Sequence, residues 1–589
     1  METKKQNSLF KTTLLLIPYI WMHNTNIRVR IVVSLLLAIV MIALNLSIPY
    51  MFKLIVDNLE ISHTTSFKFI SFILLGYGLC WLLSQIISHL RELLIFKVLE
   101  RGMRLLSLNV LDHLLSLSMN FHVNRKTGTI TNYFDRAHGG FDNIFWGLIS
   151  YLIPTILEMS IVIFIISYFY SILYGSLLVF ILVSYLFFSF SASGYAIKLQ
   201  DDHNEKHAKA SAYLVETMLN IETIKYFGNQ GYEHSKANNL LKEVETAGIK
   251  RYSADIFLKI AQNLIIGVGF IFITWLSGRA VYSNSITLGD FVLINGYLLQ
   301  FISPLSYLSY IMKQIQKGIQ DVSAILNIMR IKPEITDASN AIDLKIDKAD
   351  VVFENVNFGY TPERLIIKDL SFHIPAGKTF AIVGPSGSGK STISKLLFRF
   401  YDVNTGQILI NGQNIKNIKR DALCKIIGIV PQDAALFNDT IYNNLLYARP
   451  TAPEDEIKEA VHLAHLDNTM RAFPDGLNTQ VGERGAKLSG GEKQRVSIAR
   501  ILIKKPAMYI FDEATSALDT STEKDIQKNL EEISKGITTL IIAHRLSTII
   551  HADQIIVLNK GEIAEQGTHH ELLAKNGIYA QMWNKQSKN

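Results

Sequence analysis

The sequence predicts an all-α bundle of six transmembrane helices with long cytoplasmic helical extensions, fused to an α/β domain. Of its 589 residues, 49% are hydrophobic and 19% are charged, and the mean hydropathy is +0.21. Soluble and disordered chains rarely combine these values. Nearly all the long apolar runs end by residue 312, and short strand-like and helix-like runs alternate in the rest.

Six apolar runs predict the membrane spans because each approaches or exceeds the length of about 17 to 25 residues that crosses a bilayer. They cover residues 31–48, 69–87, 144–169, 171–190, 260–276 and 291–312. The alternative is a set of buried helices in a soluble protein. Six such helices together would need a core far larger than a chain of this length forms.

Lysine and arginine residues in the connections predict the orientation of the spans. They concentrate between spans two and three and between spans four and five, which places those segments and both termini in the cytoplasm. Both segments also carry apolar residues at helical spacing, so we expect the spans to continue as helices below the membrane. Residues 10–22 are apolar but too short to cross, and we expect them to lie along the interface.

The first residues, METKKQNSLFK, resemble neither a cleavable signal peptide nor an organelle transit peptide. We therefore expect a bacterial inner membrane, with the mitochondrial inner membrane as the alternative. The two cysteines, Cys80 and Cys424, are too few for a disulfide framework and do not form a CxxC pair.

The motif GPSGSGKS predicts a phosphate-binding loop in the α/β domain. It follows the strand-like run TFAIV and precedes the helix-like run STISKLLFRF, which is the setting in which backbone N–H groups and a helix start bind phosphates. Lys390 is expected to reach the β- and γ-phosphates and Ser391 to hold Mg²⁺. The predicted nucleotide contacts in this loop are Gly384, Ser386, Gly387, Ser388, Gly389, Lys390, Ser391 and Thr392.

A second motif, MYIFDE, is a hydrophobic strand that ends in Asp512 and Glu513. Asp512 is expected to hold Mg²⁺, and Glu513 is placed to polarise a water for attack on the γ-phosphate. Two acidic residues after a strand can also be a solvated loop start, but the neighbouring phosphate loop favours the catalytic interpretation.

The run LSGGE, from Leu488 to Glu492, followed by KQRVSIAR, resembles the signature of the ABC transporter ATPase domain. The resemblance implies a P-loop ATPase with ATP and Mg²⁺ as cofactors. It also implies roles for residues outside the two loops. Tyr360 would stack on adenine, Gln432 would contact the metal and assist catalysis, His544 would act as the switch histidine, and Asp519 would contact the nucleotide. Ser489, Gly490 and Gly491 would complete the ATP site of a second copy of the chain.

The order of the parts resembles an exporter half-transporter, with the membrane domain at 1–330, a linker at 331–350 and the nucleotide-binding domain at 351–589. The membrane half is similar to the mitochondrial exporter that supports cytosolic iron–sulfur assembly and to its bacterial heavy-metal-tolerance relatives. This similarity lies in residues 48–59, 115–128, 153–158 and 220–230. It implies a glutathione-related substrate. Of the basic cluster usual after span four only Lys198 is present, and Lys259 replaces an asparagine of span five, although Gln262 is retained.

Ionisable residues inside the bilayer are candidate substrate contacts because burying them unpaired is costly. Glu158 and Lys259 meet that criterion, although Lys259 can pair with Asp255 one turn away and Glu158 can be structural. Polar residues of span six recur at three-residue spacing, so they face one way, toward the cavity or toward a neighbouring helix. They are Gln300, Ser303, Ser306 and Ser309.

The sequence therefore predicts ATP-driven export of a glutathione-related or other thiol or metal-conjugate compound. We expect a homodimer, since one chain holds half of a transporter, with membrane lipids as further partners. The alternative is a lipid or multidrug exporter of the same architecture. Six spans exclude a soluble ATPase acting on ribosomes or DNA, so no nucleic-acid partner is expected. Glu513 and His544 distinguish the chain from a subunit with an inactive ATPase.

Overall fold

The computed structural model describes residues 25–60, 67–123, 128–361, 363–482, 485–513, 530–543 and 545–587, together with Pro18, Gln527 and Lys528. The predicted interfacial segment 10–22 thus lies almost entirely outside the described residues. The chain divides into two compact units, one of residues 1–115 and 126–331 and the other of residues 116–125 and 332–589. Residues 116–125 therefore group with the α/β unit, although the sequence placed them within the membrane domain.

The first unit is helical, as predicted. Its helices are α1 (Thr25–Glu60), α2 (Phe67–Ser116), α4 (Gly128–Phe145), α5 (Ile153–Phe169), α6 (Ile172–Leu219), α7 (Ile221–Phe227), α8 (Gln230–Tyr282) and α9 (Leu288–Met329). A π-helical turn, Trp146–Leu152, joins α4 to α5. Six stretches of these helices are long and apolar enough to cross a membrane. Helices α2, α6 and α8 continue well beyond the apolar stretches, which agrees with the predicted extensions.

Packing inside this unit is set by small residues and by the apolar faces of the helices. Helix α6 lies along α8, and α9 packs on α1 and α4. Gly102 of α2 lies against the ring of Phe141, where a Cβ atom would approach to 2.4 Å, so only glycine permits this contact. Outward-facing side chains such as Phe72 and Phe187 are about three-quarters exposed, as lipid-facing residues are.

The second unit contains two sheets. The strands are β1 (Val351–Phe358), β2 (Ile367–Ile374), β3 (Thr379–Val383), β4 (Thr405–Ile410), β5 (Gln413–Asn414), β6 (Ile427–Val430), β7 (Met508–Asp512), β8 (Thr538–Ile542), β9 (Gln554–Asn559) and β10 (Glu562–Gly567). One sheet has the order β2-β1-β4-β5, and its strand pairs are antiparallel. The other has the order β10-β9-β3-β8-β7-β6 and is parallel from β9 to β6.

Helices surround these sheets. They are α3 (Met119–Val123), α10 (Lys390–Leu397), α11 (Arg420–Ile426), α12 (Ile441–Leu446), α13 (Glu454–Leu463), α14 (Asp467–Ala472), α15 (Gly490–Lys504), α16 (His569–Ala574) and α17 (Ile578–Ser587). Strand β7 is buried at every position, because helices cover both faces of a parallel sheet. Within the predicted linker, Ile342 forms a bridge with Ile418 and Ala349 is fully buried, so that part of the linker packs on the α/β unit.

Candidate ATP site and membrane cavity

The strand order brings the two predicted nucleotide motifs to one edge of the parallel sheet. Strand β8 lies between β3 and β7 and is parallel to both. The carboxyl ends of the three strands therefore lie at the same edge of the sheet, and neighbouring strands are about 4.8 Å apart. The phosphate loop follows β3, and Asp512 and Glu513 end β7. Ligands of α/β sheets bind at this edge.

The glycines of the phosphate loop have backbone conformations that other residues avoid. Gly387 has φ +78°, Gly389 has φ +103° and Gly384 has φ +155°. A Cβ atom on Gly384 would lie 2.1 Å from the carbonyl oxygen of Leu558. The loop therefore requires glycine at these places, both for its conformation and for its contact with β9.

Lys390 is positioned inside this loop. Its side chain is buried, and Nζ donates to the carbonyl oxygens of Gly384 (2.8 Å) and Pro385 (3.1 Å). Burial lowers the pKa of Lys390, and the nearby carboxylates of Glu513 and Asp512 oppose that shift. The amine thus lies beside backbone atoms that a phosphate can replace as its partner.

The other predicted loop contacts differ in burial. Ser386 and Gly387 are exposed, whereas Ser388 and Thr392 are buried. The Ser388 hydroxyl has no hydrogen-bond partner among the described residues. A buried hydroxyl without a partner is costly, so this one is available to a ligand.

Two oxygen donors come together beside Lys390. Ser391 Oγ donates to Asp512 Oδ1 across 3.5 Å. Burial raises the pKa of Asp512, and the Glu513 carboxylate adds to the shift. A hydroxyl and a carboxylate are ligands that Mg²⁺ accepts when phosphates and waters complete its shell, so the pair fits this ion.

Glu513 is held from several directions. Its Oε2 accepts from Gln432 Nε2 at 2.7 Å, and its backbone N–H donates to Ile542 at 2.9 Å. Gln494 Nε2 donates to its carbonyl oxygen at 3.3 Å. Glu513 also has φ +52°, a conformation that costs a non-glycine residue about 1 kcal/mol or more. The predicted base and the predicted lid glutamine are therefore in direct contact.

Tyr360 lies near the start of α10. Its hydroxyl is 3.3 Å from Thr392 Oγ1, its side chain is partly exposed, and its ring meets Tyr401 edge to face at 5.1 Å. Lys395 Nζ is 5.7 Å from the ring centroid. One ring face is thus fixed close to the phosphate-loop helix, where an adenine base can stack.

The LSGGE run begins helix α15. Ser489 is the N-cap, its hydroxyl accepts from the Glu492 N–H at 3.3 Å, and the Glu492 carboxylate accepts from the Ser489 N–H at 2.7 Å. Ser489 and Gly490 are exposed and Gly491 is partly exposed. A capped helix start with exposed residues can present its N–H groups to the phosphate of a nucleotide that another chain binds. Asp519 and His544, the remaining predicted nucleotide residues, lie outside the described part of the chain.

In the membrane unit, Glu158 and Gln300 meet around Asn45. The Asn45 side chain lies beside the Glu158 carboxylate. Gln300 Nε2 donates to the Asn45 carbonyl oxygen at 2.9 Å. Ser303, one turn from Gln300, lines a cavity of about 350 Å³ together with Thr155 of α5.

The other predicted substrate residues are placed elsewhere. Lys259 is 62% exposed, and its Nζ is 3.3 Å from Asp255 Oδ2. The other carboxylate oxygen of Asp255, Oδ1, pairs with Lys313. The alternative weighed for Lys259, an ion pair one turn away, is thus present. Gln262 is buried and donates to Ser189 Oγ at 2.8 Å. Lys198 is exposed on α6. Ser306 and Ser309 lie on α9, with side chains outside the described part.

Sequence reasoning missed Tyr401, Gln494 and Asn45. Tyr401 and Gln494 carry no motif that marks them, since their contacts arise from folding. Asn45 does carry a signal, because it is an uncharged amide inside an apolar run, and such amides hydrogen-bond across transmembrane helices.

Comparison with known proteins agrees with this geometry. The family model "ABC transporter transmembrane region" matches residues 31–305 and "ABC transporter" matches residues 367–516. The chain is 38% identical to "Iron-sulfur clusters transporter atm1, mitochondrial" of Aspergillus fumigatus, over 96% of this chain and 79% of that protein. It is 36% identical to "Iron-sulfur clusters transporter ABCB7, mitochondrial" of Rattus norvegicus, over 97% of this chain and 78% of that protein.

A solved structure, "Structure of a bacterial Atm1-family ABC exporter with ATP bound", aligns with a TM-score of 0.86 and 36% identity, over 95% of this chain and 98% of that chain. The molecule is a multi-pass membrane protein that binds ATP and couples its hydrolysis to export. The chain belongs to the ABC transporters, among the exporter half-transporters with Atm1 and ABCB7 relatives.

Proposed function

We propose that the chain exports a glutathione-related or other thiol or metal-conjugate compound, as a homodimer that uses Mg²⁺-bound ATP. The observation that carries this proposal is the 38% identity to an iron–sulfur clusters transporter over 96% of the chain. That match includes the membrane half, which handles the substrate, as well as the more widely shared ATPase.

The ATP site supports a defined division of roles. The phosphate loop and Lys390 would bind the phosphates, Ser391 and Asp512 would hold Mg²⁺ with Gln432, and Tyr360 would stack on adenine. Mg²⁺ would neutralise charge on the phosphates. The Glu513 carboxylate, fixed by its contact with Gln432, would orient and polarise the attacking water. Asp519 and His544 keep the roles that the family resemblance implies.

Two surfaces support a homodimer. The start of α15, with Ser489, is exposed and has the geometry to complete a second copy's ATP site. At the tip of the α6–α8 extension, Leu219 is 80%, Tyr226 83% and Phe227 74% exposed. Apolar side chains exposed together in an aqueous region favour a protein partner, and a half-transporter needs a second copy to complete it.

The membrane cavity supports a substrate with polar groups. Its lining includes Tyr151, Thr155, Ser303 and Tyr307, and Glu158 lies one turn from Thr155. A lipid or multidrug exporter remains the alternative, favoured by the aromatic rings of Tyr151 and Tyr307, 5.5 Å apart.

An ATPase assay in nanodiscs tests the substrate class. We expect oxidised glutathione or metal–glutathione complexes to raise the hydrolysis rate of the wild type, with Glu513→Gln as the blank. A rate that ignores these compounds but rises with lipids or apolar drugs would support the alternative.

For location, we propose a bacterial inner membrane with the ATPase in the cytoplasm, and the mitochondrial inner membrane is the alternative. The orientation is supported by the basic segments that join the spans. The solved relative is bacterial, whereas the two named relatives are mitochondrial.

A further inference from the structure

Four polar side chains from four different membrane helices meet in the apolar bundle, and we name them the Asn45 cluster: Asn45 (α1), Ser84 (α2), Glu158 (α5) and Gln300 (α9). Ser84 donates its hydroxyl hydrogen to Asn45 Oδ1. Because Oδ1 is an acceptor in that bond, the Asn45 amide nitrogen is the group that can donate to the neighbouring Glu158 carboxylate. Gln300 Nε2 donates to the Asn45 carbonyl oxygen at 2.9 Å.

The cluster has acceptors left over. Gln300 Oε1 is buried and accepts no hydrogen bond from the described residues. Glu158 takes part in none of the ion pairs formed within the described membrane helices. An unneutralised carboxylate inside a bilayer is costly, so the site favours a positively charged donor.

Three basic residues of the described membrane helices have contacts elsewhere. Lys53 pairs with Asp290 at 2.5 Å, and Lys259 pairs with Asp255 at 3.3 Å. Arg91 donates to the carbonyl oxygen of Ser150 at 2.5 Å. The charge that complements Glu158 is therefore best supplied by a ligand.

A route for such a ligand adjoins the cluster. Thr155 precedes Glu158 by one turn of α5, and Ser303 follows Gln300 by one turn of α9. Both line the cavity of about 350 Å³ that Tyr151 and Tyr307 also line. With the predicted orientation, α5 runs outward and α9 runs inward, so the cavity lies on the cytoplasmic side of the cluster. A compound entering the cavity from the cytoplasm would meet the Glu158 carboxylate and Gln300 Oε1 at the end of the cavity that lies away from the cytoplasm.

We propose that the Asn45 cluster binds the primary ammonium group of the transported compound, with the Glu158 carboxylate as counter-charge and Gln300 Oε1 as a second acceptor. This proposal rests on the proposed function, because the γ-glutamyl end of glutathione carries such an ammonium group. A metal ion fits less well, since the described residues contain no group of three or more His, Cys, Asp or Glu side chains arranged to hold one.

The test compares glutathione disulfide with its N,N′-diacetyl derivative, in which both amines are neutral amides. The readout is stimulation of ATPase activity of the homodimer in nanodiscs. For the wild type we expect the half-maximal concentration of the acetylated compound to be about tenfold higher or more, because a charge-assisted hydrogen bond contributes about 1.5 to 3 kcal/mol.

Two variants locate the effect. Glu158→Gln keeps the shape of the side chain but removes the charge, and we expect it to respond to both compounds at similar concentrations. Gln300→Leu removes the neutral acceptor Oε1 together with the Nε2 donor to the Asn45 carbonyl oxygen, and it should reduce the preference in part. Ser160→Ala is the matched control on α5, since Ser160 is exposed and bonds to the Ile156 carbonyl oxygen. It should retain the full preference and show that the helix tolerates substitution.

The failures are distinguishable. A wild type that responds equally to both compounds would overturn the ammonium site but leave thiol export standing. A wild type that discriminates while Glu158→Gln discriminates equally well would place the ammonium group elsewhere. No response to either compound, with ATP hydrolysis intact, would contradict the proposed function and this site with it.

Discussion

At the scale of single residues, Glu513 has a positive φ angle that non-glycine residues rarely adopt, and its carboxylate is held by a hydrogen bond from Gln432. Replacing it with glutamine removes the proposed base but retains an oxygen that can accept from Gln432. We expect Glu513→Gln to lower ATP hydrolysis by about 10²- to 10³-fold, as removal of a general base does, while nucleotide binding is kept. Phosphate release and binding of a fluorescent ATP analogue measure the two effects. Glu532→Gln, at an exposed position, is the control, and comparable hydrolysis in the two variants would exclude Glu513 as the base.

Lys259 differs from Glu158 because its charge has a partner within the chain. Its pair with Asp255 is exposed, and such pairs contribute about 0.2 to 1 kcal/mol. We expect Lys259→Ala to shift the half-maximal glutathione disulfide concentration by about twofold or less, measured by ATPase stimulation. A loss of tenfold or more would show that Lys259, and not the Asn45 cluster, supplies the decisive charge for this substrate.

At the scale of helices, the predicted outer ends of α1 and α9 are joined by one carboxylate. Asp290 pairs with Lys53 at 2.5 Å, accepts from the Tyr170 hydroxyl at 2.7 Å and caps α9 with Thr287. Asp57 accepts from the neighbouring Gly289 N–H at 3.0 Å. The contacts of Asp290 thus hold α1, α9 and the α5–α6 turn together.

We expect Asp290→Asn to destabilise the membrane unit by about 2 kcal/mol, because partly buried charged hydrogen bonds contribute more than exposed ones. The midpoint of thermal unfolding in nanodiscs measures this. Asp202→Asn is the control, since Asp202 makes an exposed one-turn pair with Lys206 and should lower the midpoint far less. Equal shifts would mean that Asp290 does not join the helices.

Helices α16 and α17 contain a buried histidine that makes their packing sensitive to pH. His569 Nδ1 lies 2.8 Å from the Tyr579 hydroxyl, and its ring meets Trp583 at 4.7 Å. Burial lowers the pKa of His569, and His570 and His551 shift it the same way. The folded pKa lies below the unfolded value of about 6.5. The stability is therefore present above that value and is lost as pH falls through it toward the folded pKa.

We accordingly expect hydrogen-exchange protection of residues 569–583 to fall between pH 7.5 and 5.5 in the wild type. In His569→Gln, which cannot ionise, protection should change little over that range. His462→Gln alters an exposed histidine that pairs with Asp467 and should keep the wild-type response. A pH response that persists in His569→Gln would assign it to another group.

At the scale of the whole molecule, the proposed homodimer would complete each ATP site with the LSGGE run of a second copy of the chain. We expect that, in a background where Cys80 and Cys424 are serine, Ser386→Cys with Ser489→Cys allows a short bis-maleimide to join two chains when ATP is bound. The product would migrate at twice the chain mass of 66.5 kDa. Each single-cysteine variant serves as a control. Cross-linking confined to one chain would place the LSGGE run at its own phosphate loop.

The sequence by itself determined the fold class, and its motifs predicted most of the residues proposed for the ATP site. GPSGSGKS and LSGGE are local, because loop glycines and a helix start bind phosphate through neighbouring backbone groups. The spans follow from apolar length alone. Even the pair of Lys259 with Asp255 could be foreseen, since one helical turn separates them, whereas the contact of Asp255 with Lys313 required α8 and α9 to pack.

Only the tertiary structure decided which polar groups of the membrane unit meet. Asn45 and Gln300 are 255 residues apart, and no periodicity relates positions on different helices. The same holds for Gln432 and Glu513, which belong to different segments of the α/β unit and meet because β6 lies beside β7. Sequence patterns report what each segment can bury, but the partner that a buried polar group finds depends on which helices and strands pack together.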